Sequence, residues 1–469
     1  MNTKQLRQKI LDLAIRGKLV PQDPNDEPAS VLLARVKAEK ERLIAEGKIK
    51  RSKKTAVTSD KPHYADWELP NGWECVRLSD ICIIGTGATP STRNSTYYKD
   101  GTIPWIGSSE TSNEYIDAPT TLITQKALDE TNCTVYPIGT LIMAMYGEGK
   151  TRGQISELRI SSATNQACAA IVPIFKEIKS FIKIYLKGNY LRLRTLAEGG
   201  MQPNLNLRKI SSYMIPMPPL AEQIRIERVL NDLLLKVDLI DSEKSVIDVS
   251  LSHVKSKILE LAISGKLVSQ DPADAPAEVL LKRVNPNAVV SADTSHYALP
   301  SNWVWVKGKD LFLPMKSTTP KGDTFKYIDI DSIDNKNQCI SAIKVLPTEK
   351  APSRASRYTE KNNVLFSMVR PYLRNIALVT EDECIASTGF YVCRQRECLD
   401  HNYLYYLMTS RYVVDGLNMF MKGDNSPSIN KGHIDEFDFP LPPLNEQKRI
   451  VAKVAELFAQ IDTIQQSLE

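Results

Sequence analysis

Residues Ala144–Thr151 read Ala-Met-Tyr-Gly-Glu-Gly-Lys-Thr, directly after a strand-like run, and satisfy a relaxed phosphate-loop pattern in which Ala replaces the first Gly. Such a loop needs its strand to feed a helix whose N-terminal amides cradle the phosphates. Here Thr151–Ile160 (TRGQISELRI) continues into further strand-like sequence, and the related stretch SMVRPYLRN, later in the chain, has no such pattern. Nucleotide binding through Lys150 therefore stands as an alternative. The same loop suits another chemistry: Lys150 and Arg152, with Tyr146 and small neighbours, could reach a nucleic-acid groove, where Lys and Arg contact guanine edges and phosphates. Arg370, Tyr372 and Arg374 occupy the related post-strand position in SMVRPYLRN. A plain solvated basic turn is the competing reading of each.

Other polar loops join this set. Gly85–Arg93 (GTGATPSTR) offers Thr89, Ser91 and Arg93, and Lys316–Lys321 (KSTTPK) offers Lys316 and Lys321. Gln202–Asn206 offers Gln202 and Asn204, and Asn425–Asn430 offers Asn425 and Ser426. All are equally explicable as turn chemistry. Signals of catalysis are missing. A base-flipping amino-methyltransferase would carry Asn/Asp-Pro-Pro-aromatic, whereas this chain has Met217-Pro218-Pro219-Leu220 and Leu441-Pro442-Pro443-Leu444, without the polar or the aromatic member. There is no Pro-Asp dipeptide to start a common nuclease motif, and the five histidines form no evident triad. Cys393, Cys398 and His401 have a loosely metal-like spacing, but no fourth ligand is evident. We therefore expect no catalytic and no metal site.

At 469 residues the chain should hold two to four structural units. Its 42% apolar and 25% charged content is that of an ordinary globular protein. With no apolar run near membrane-spanning length and no signal-like N-terminus, the expectation is a cytoplasmic protein without a membrane partner. The eight cysteines include no CxxC pair and read as reduced thiols. Net charge is +5, and Lys37–Lys54 alone holds eight Lys/Arg against three Glu. That run reads as a solvated helix or linker, with a phosphate-contacting arm as the sharper alternative.

The elements that must position these loops are repeated. Lys9–Val36 returns as Lys257–Val284, identical at 21 of 28 positions, at an offset of 248. Pro216–Ile240 returns as Pro440–Ile464, at an offset of 224. The order is swapped, so the chain reads as a two-fold repeat cut open inside one unit. Ile226, Leu230, Leu233, Val237, Ile240, Lys244, Ile247, Leu251, Val254, Ile258 and Leu261 step alternately by four and three, a coiled-coil seam with one polar interruption. Glu222 and Gly265 suit the N-terminus and C-cap of that helix, which would be roughly 60–65 Å long. Ile450, Val454, Leu457, Ile461 and Ile464, then Leu6, Ile10 and Leu13, carry the same seam at the chain ends. The terminal helices should therefore lie end to end, with Met1 beside Glu469, and pack antiparallel on the central helix. A coiled coil between two chains is the alternative. Between the helices lie two strand-rich α+β stretches of about 150 residues with parallel landmarks. Leu69-Pro70-Asn71-Gly72-Trp73 is answered by Leu299-Pro300-Ser301-Asn302-Trp303.

Two similar frames with dissimilar loops, held apart by a stiff spacer, suit the reading of two short targets at a fixed distance. The LPxxW openings, the PxPPLxEQxRI helix starts and the LAIxGKLVxQDPxDxPAxxLLxRV segments make nearly the whole chain resemble the specificity subunits of type I restriction-modification enzymes. The resemblance implies an α+β fold: two target recognition domains joined by long antiparallel coiled-coil helices, with pseudo-two-fold, circularly permuted repeats. The expected segments are 1–36 (conserved helical), 37–60 (basic helix or linker), 61–220 (first recognition domain), 221–290 (central helical), 291–444 (second recognition domain) and 445–469 (C-terminal helix). It implies double-stranded DNA as ligand, read as a bipartite site, with two modification subunits and restriction subunits as partners. Glu222, Gln223, Arg225, Glu446, Gln447 and Arg449, on the conserved helix starts, are the expected partner-binding residues. No cofactor would belong to this chain; S-adenosylmethionine, ATP and magnesium would belong to the partners. A stand-alone DNA-binding or architectural protein is the remaining alternative.

Overall fold

The structure, a computed structural model, describes residues 2–49, 67–147, 150–195, 204–291 and 297–468. It divides into two compact units, Met1–Ser242 and Glu243–Glu469. The helix Leu220–Ile263 contributes its first half to one and its remainder to the other.

The two units share a strand plan, except that the first sheet of the first unit has a fifth strand, Tyr115–Ile116. In the first, a sheet runs Cys82–Thr86, Cys168–Pro173, Leu141–Ala144, Ile155–Leu158, Tyr115–Ile116 in hydrogen-bonded order; a second runs Thr121–Ile123, Ile103–Ile106, Ser162–Thr164, Val135–Tyr136. In the second unit the equivalents are Phe312–Leu313, Phe390–Gln395, Val364–Ser367, Ile376–Leu378, and Lys344–Pro347, Thr324–Ile328, Cys384–Ser387, Ala355–Tyr358. One parallel pairing recurs at the same place, Ile103–Ile106 with Ser162–Thr164 and Thr324–Ile328 with Cys384–Ser387.

The central strands are apolar without alternation because both of their faces are covered. Leu141 and Met143 point to a core shared with Phe181 and Tyr185 of helix Lys179–Gly188, while Ile142 joins Ile106, Leu158 and Cys168 on the opposite face. Val364 and Phe366 likewise meet Tyr403, Leu404 and Leu407 of helix His401–Thr409, and Leu365 turns the other way towards Phe390.

Within each unit a helix pair closes antiparallel. In the first, Arg7 on helix Thr3–Ile15 pairs with Asp238 at 2.5 Å and Asp241 at 2.6 Å. In the second, Lys255 pairs with Asp462 of helix Leu444–Leu468 at 2.6 Å. Arg7 and Lys255 differ by 248, and Asp238 and Asp462 by 224, so both pairs occupy equivalent positions in the repeat. Ile226, Leu230, Val237 and Ile258 of the expected seam are buried, but Val254 is 47% exposed, and Leu259, Ala262 and Ile263 are buried beside it. Ile247 is exposed as well, so the seam is buried towards the two ends of the helix and open between Val237 and Ile258. The expected meeting of Met1 with Glu469 falls outside the described residues.

The other end of each pair is a joint made from the repeated motifs. Gly17 and Gly265 end their helices at φ +67° and +71°, and Lys18 and Lys266 donate their backbone N–H to Leu13 and Leu261, both at 2.9 Å. This is glycine C-capping in a left-handed conformation. The missing side chain also makes room. A Cβ on Gly17 would lie 2.7 Å from Pro70, and one on Gly265 2.3 Å from Pro300. The neighbouring indoles are buried, with Trp73 Nε1 donating to Glu222 at 3.0 Å and Trp303 Nε1 donating to Glu446 at 2.9 Å. Gln223 and Gln447 donate to the Pro218 and Pro442 carbonyls, both at 2.9 Å. Arg225 grips Asp26 at 3.1 and 2.5 Å, and Arg449 reaches Asp274 at 2.7 Å. LPxxW, GKL, QDPxD and EQxR positions therefore meet in one place.

Burial raises the Glu222 and Glu446 carboxyls above the usual range, against the pull of the indole N–H. The Arg225 and Arg449 guanidiniums, by hydrogen bonding, hold Asp26 and Asp274 below it. The signs are opposite. Stability from Asp26 and Asp274 is present above their unfolded-state values and lost as pH falls through the lower folded values. The cost of ionising Glu222 or Glu446 sets in as pH rises from the unfolded value through the higher folded one. In thermal melts between pH 4 and 8, Glu222→Gln should therefore gain on the unaltered chain as pH rises, whatever its offset at pH 4. Gly265→Ala should cost more than about 1 kcal/mol in denaturant unfolding, because both its φ and the closeness of Pro300 oppose a side chain.

Among the described residues no helix is long and apolar enough to cross a membrane, and no group of three His, Cys, Asp or Glu could hold a metal ion. Cys393 and Cys398 are buried in the apolar core. Of the basic run, residues 37–49 are described. Arg42 there is bonded to Glu39 and Glu46 along its own helix, Ala29–Ala45, and Lys48 to Glu46. The cations at 50–54 lie outside the described residues.

Candidate nucleic-acid interface

Strand direction places four connections at one end of the larger sheet. In the first unit Ala169 pairs with Thr86, Cys168 with Ala144 and Met143 with Ile155. The loop after Thr86, the turn 165–167 and the loop after Ala144 therefore share that end. Met145 N–H donates to Ala167 at 2.8 Å, and Leu205 N–H donates to Met145 at 3.0 Å, which adds the segment at 204–206. The second unit repeats the ladder: Met368 N–H to Gly389 at 2.8 Å, and Ile429 N–H to Met368 at 2.9 Å. Short helices follow, capped by the Asn206 and Asn430 side chains on the Lys209 and His433 amides, at 2.9 and 3.2 Å. One frame thus presents corresponding loops twice, with different residues in them.

Most of the sequence-predicted residues lie on these loops. Thr89, Ser91 and Arg93 are exposed, and Thr89 Oγ1 donates to Gln166 of the neighbouring turn at 2.6 Å. Their loop can begin where it does because Gly87 lies against strand Ser162–Thr164; a Cβ there would sit 1.6 Å from the Thr164 carbonyl oxygen. Tyr146 and Lys150 are exposed, Asn204 is half-buried, and Gln202 falls outside the described residues. Arg152 is half-buried and engaged. Its loop is held by backbone acceptors: Tyr190 OH donates to the Lys150 carbonyl, and Arg194 Nη1 to the Arg152 carbonyl at 3.0 Å.

In the second unit Lys316 and Lys321 are exposed, and the Lys316 carbonyl accepts from Tyr358 N–H at 3.0 Å. Arg370, Asn425 and Ser426 are exposed, and Tyr372 is 46% exposed. Arg370 joins the two loops. Its amide donates to Pro427 and its Nη2 to the Asn425 carbonyl, both at 2.8 Å. Arg374 behaves differently. Its guanidinium turns inward to donate to the Thr409 carbonyl at the end of helix His401–Thr409, and burial lowers its proton affinity. It caps a helix rather than facing outward.

Two further expectations are corrected. Glu222, Gln223, Glu446 and Gln447 are at most 3% exposed and bonded within their own units, so these four side chains offer no surface to a partner. Arg225 and Arg449 are partly exposed, but their guanidiniums are held by Asp26 and Asp274. The phosphate-loop alternative also lacks its helix. Strand Leu141–Ala144 is followed by a turn at 150–153 and then the antiparallel strand Ile155–Leu158, so among the described residues that strand feeds no helix whose amides could cradle a phosphate. Residues missed from sequence include Gln166, and Arg354, whose carbonyl accepts from Thr388 N–H at 2.8 Å at the same end of the second unit. Their signal was positional, since both touch turns that carry the chain from one sheet to the other, Ser162–Thr164 to Cys168–Pro173 and Cys384–Ser387 to Phe390–Gln395.

The model of the type I restriction modification DNA specificity domain matches residues 70–248 and 300–469. The chain belongs to that family. Relatives include the type I restriction enzyme EcoEI specificity subunit of Escherichia coli, 25% identical over 99% of this chain and 91% of its own length. The EcoAI specificity subunit of Escherichia coli is 24% identical over 97% and 88%. A solved chain, described for complex assembly and conformational transition of the type I R-M system, shares the fold with a TM-score of 0.56 at 18% identity. It covers 86% of this chain and 94% of its own. Both matched stretches open at the LPxxW joint and run into a long helix, so the family's unit is the loop-bearing frame together with its helix start.

The two arginines of the second unit should separate by experiment. Arg374→Ala should lower stability by about 1–2 kcal/mol through the uncapped Thr409 carbonyl, with selectivity for DNA unchanged. Arg370→Ala should leave the melting midpoint within about 1 °C, since surface substitutions are usually small, and alter selectivity. Thermal melts paired with competition binding on randomised duplexes check both.

Proposed function

We propose that this chain is the sequence-reading subunit of a type I restriction-modification complex, in which each unit reads one half of a bipartite double-stranded DNA site. The observation that carries this is the repeated sheet end: one hydrogen-bonded ladder presents Thr89, Tyr146, Lys150 and Asn204 in one unit and Lys316, Arg370, Asn425 and Ser426 in the other. A conserved frame with divergent polar and basic loops suits two different short sequences, read by groove contacts and held in register by phosphate contacts. The chain contributes recognition and no catalytic group. Two modification subunits using S-adenosylmethionine, and restriction subunits using ATP and magnesium, supply the chemistry in the cytoplasm. They dock on the outward faces of the repeated helices, since the inward residues of the helix starts are committed to the joints.

The same proposal makes the helices a ruler. The terminal helices, Leu444–Leu468 and Thr3–Ile15, act together as the counterpart of the central helix, in a permuted two-fold of antiparallel coiled-coil pairs. The recognition domains are the intervening stretches 61–220 and 291–444.

Removal of one heptad from the central helix and from its terminal counterpart shortens the spacer by about 10.5 Å, or about three base pairs at 3.4 Å each. Methylome sequencing of a host carrying that variant should show both half-sites unchanged and the gap between them altered; loss of half-site identity would refute the division of labour. Because charge outside Lys37–Lys54 is balanced, the purified chain should bind its site far more weakly alone than with modification subunits. Equal affinity in the two states would favour a stand-alone DNA-binding protein.

A further inference from the structure

One apolar feature of the second unit is left unused by the polar readers. Helix Arg411–Asn418 is followed by Met419, Phe420 and Met421. Met421 turns back onto the core, while Met419 is 84% and Phe420 45% exposed. Phe420 is not loose. Its ring stacks on His433 with centroids 5.0 Å apart and planes at 24°. His433 is fixed in turn by reciprocal bonds with Asn430, the cap of helix Lys431–Asp435.

The pair sits directly beside the reading loops. Phe420 N–H donates to Leu417 at 3.1 Å, and two residues on, Lys422 and Ser428 exchange backbone bonds at 3.1 and 3.0 Å to close the loop that carries Asn425 and Ser426. Ser428 also bridges to Val369, next to Arg370. The exposed cations Arg370, Lys422 and Lys431, carried on this segment and the loops bonded to it, give the apolar tip a cationic rim interrupted by exposed Asp415. Lys431 is paired to Asp435 at 3.2 Å, and Asp424 is the exposed acid within the loop. A protein-binding patch would not need that rim. Phosphates on both sides of a base step would.

We propose that Met419 and Phe420 form a wedge that inserts at, or stacks against, a base step in the half-site read by the second unit. Insertion of Phe or Met unstacks a step and kinks the duplex, and flexible pyrimidine–purine steps yield most easily. The wedge therefore selects a deformable step as well as base edges. Phe420 is held ready by His433, so little ring freedom is lost on binding. The equivalent stretch of the first unit lies outside the described residues. The inference rests on the DNA-reading function proposed above.

The test uses the full chain assembled with its modification subunits, on cognate duplexes carrying 2-aminopurine walked through the half-site of the second unit. The unaltered complex should brighten the probe at one step. Met419→Ala with Phe420→Ala should abolish that brightening and weaken cognate binding about tenfold, the scale of one lost base–aromatic stack, with the other half-site read as before and the melting midpoint kept. Phe420→Tyr should restore both signals. Unchanged brightening and affinity in the double variant would overturn the wedge and leave the reading function standing. Loss of modification-subunit assembly on gel filtration, with DNA behaviour intact, would reassign the tip to a protein partner and also overturn it. Failure of the unaltered complex to select any duplex would instead bring down the reading function itself.

Discussion

A buried carboxylate meeting an indole N–H is the interaction on which both units depend. Glu222 with Trp73, and Glu446 with Trp303, tie the first turn of a long helix to the opening of a loop-bearing frame. Each is costly to bury alone, and each becomes tolerable because the other supplies the missing bond. Around the pair, a glycine in left-handed conformation lets the preceding helix end against Pro70 or Pro300, and an arginine on the long helix holds the aspartate of the following turn. Orientation of the reading loops is thus decided far from them, at the helix start.

This division explains where the chain is repetitive and where it is not. The joint tolerates few residue types, since it combines a positive φ, close van der Waals contact and paired buried polar groups. The sheet ends ask for less. Backbone ladders such as Met145 to Ala167 and Met368 to Gly389 fix the loops without reference to the side chains they carry. Recognition chemistry can therefore vary on a frame that does not.

Much of this was legible in the sequence, for identifiable reasons. The two offsets, 248 and 224, gave the repeat and the helix pair within each unit, because near-identical segments survive as linear pattern. Central strands were visible as apolar runs. What linear pattern hides is direction. Glu222, Gln223, Glu446 and Gln447 are polar residues at helix starts, a place where outward facing is the usual inference, and only the meeting of three distant segments turns them inward. Arg370 and Arg374 share one loop and one residue type. Both adopt positive φ, at 47° and 56°, yet the end of helix His401–Thr409 captures one and leaves the other outside. Tertiary proximity to an uncapped carbonyl has no signature in the local sequence.

The two joints are alike in frame but unequal in satisfaction. Glu446 accepts from Trp303 and, at 2.6 Å, from Gln270, whereas Glu222 Oε1 has no hydrogen-bond partner among the described residues. An unmet buried acceptor costs about 1–3 kcal/mol. The symmetry of the fold is therefore broken in its energy, and the two halves should not open together. Amide exchange around Trp73 should therefore run ahead of that around Trp303.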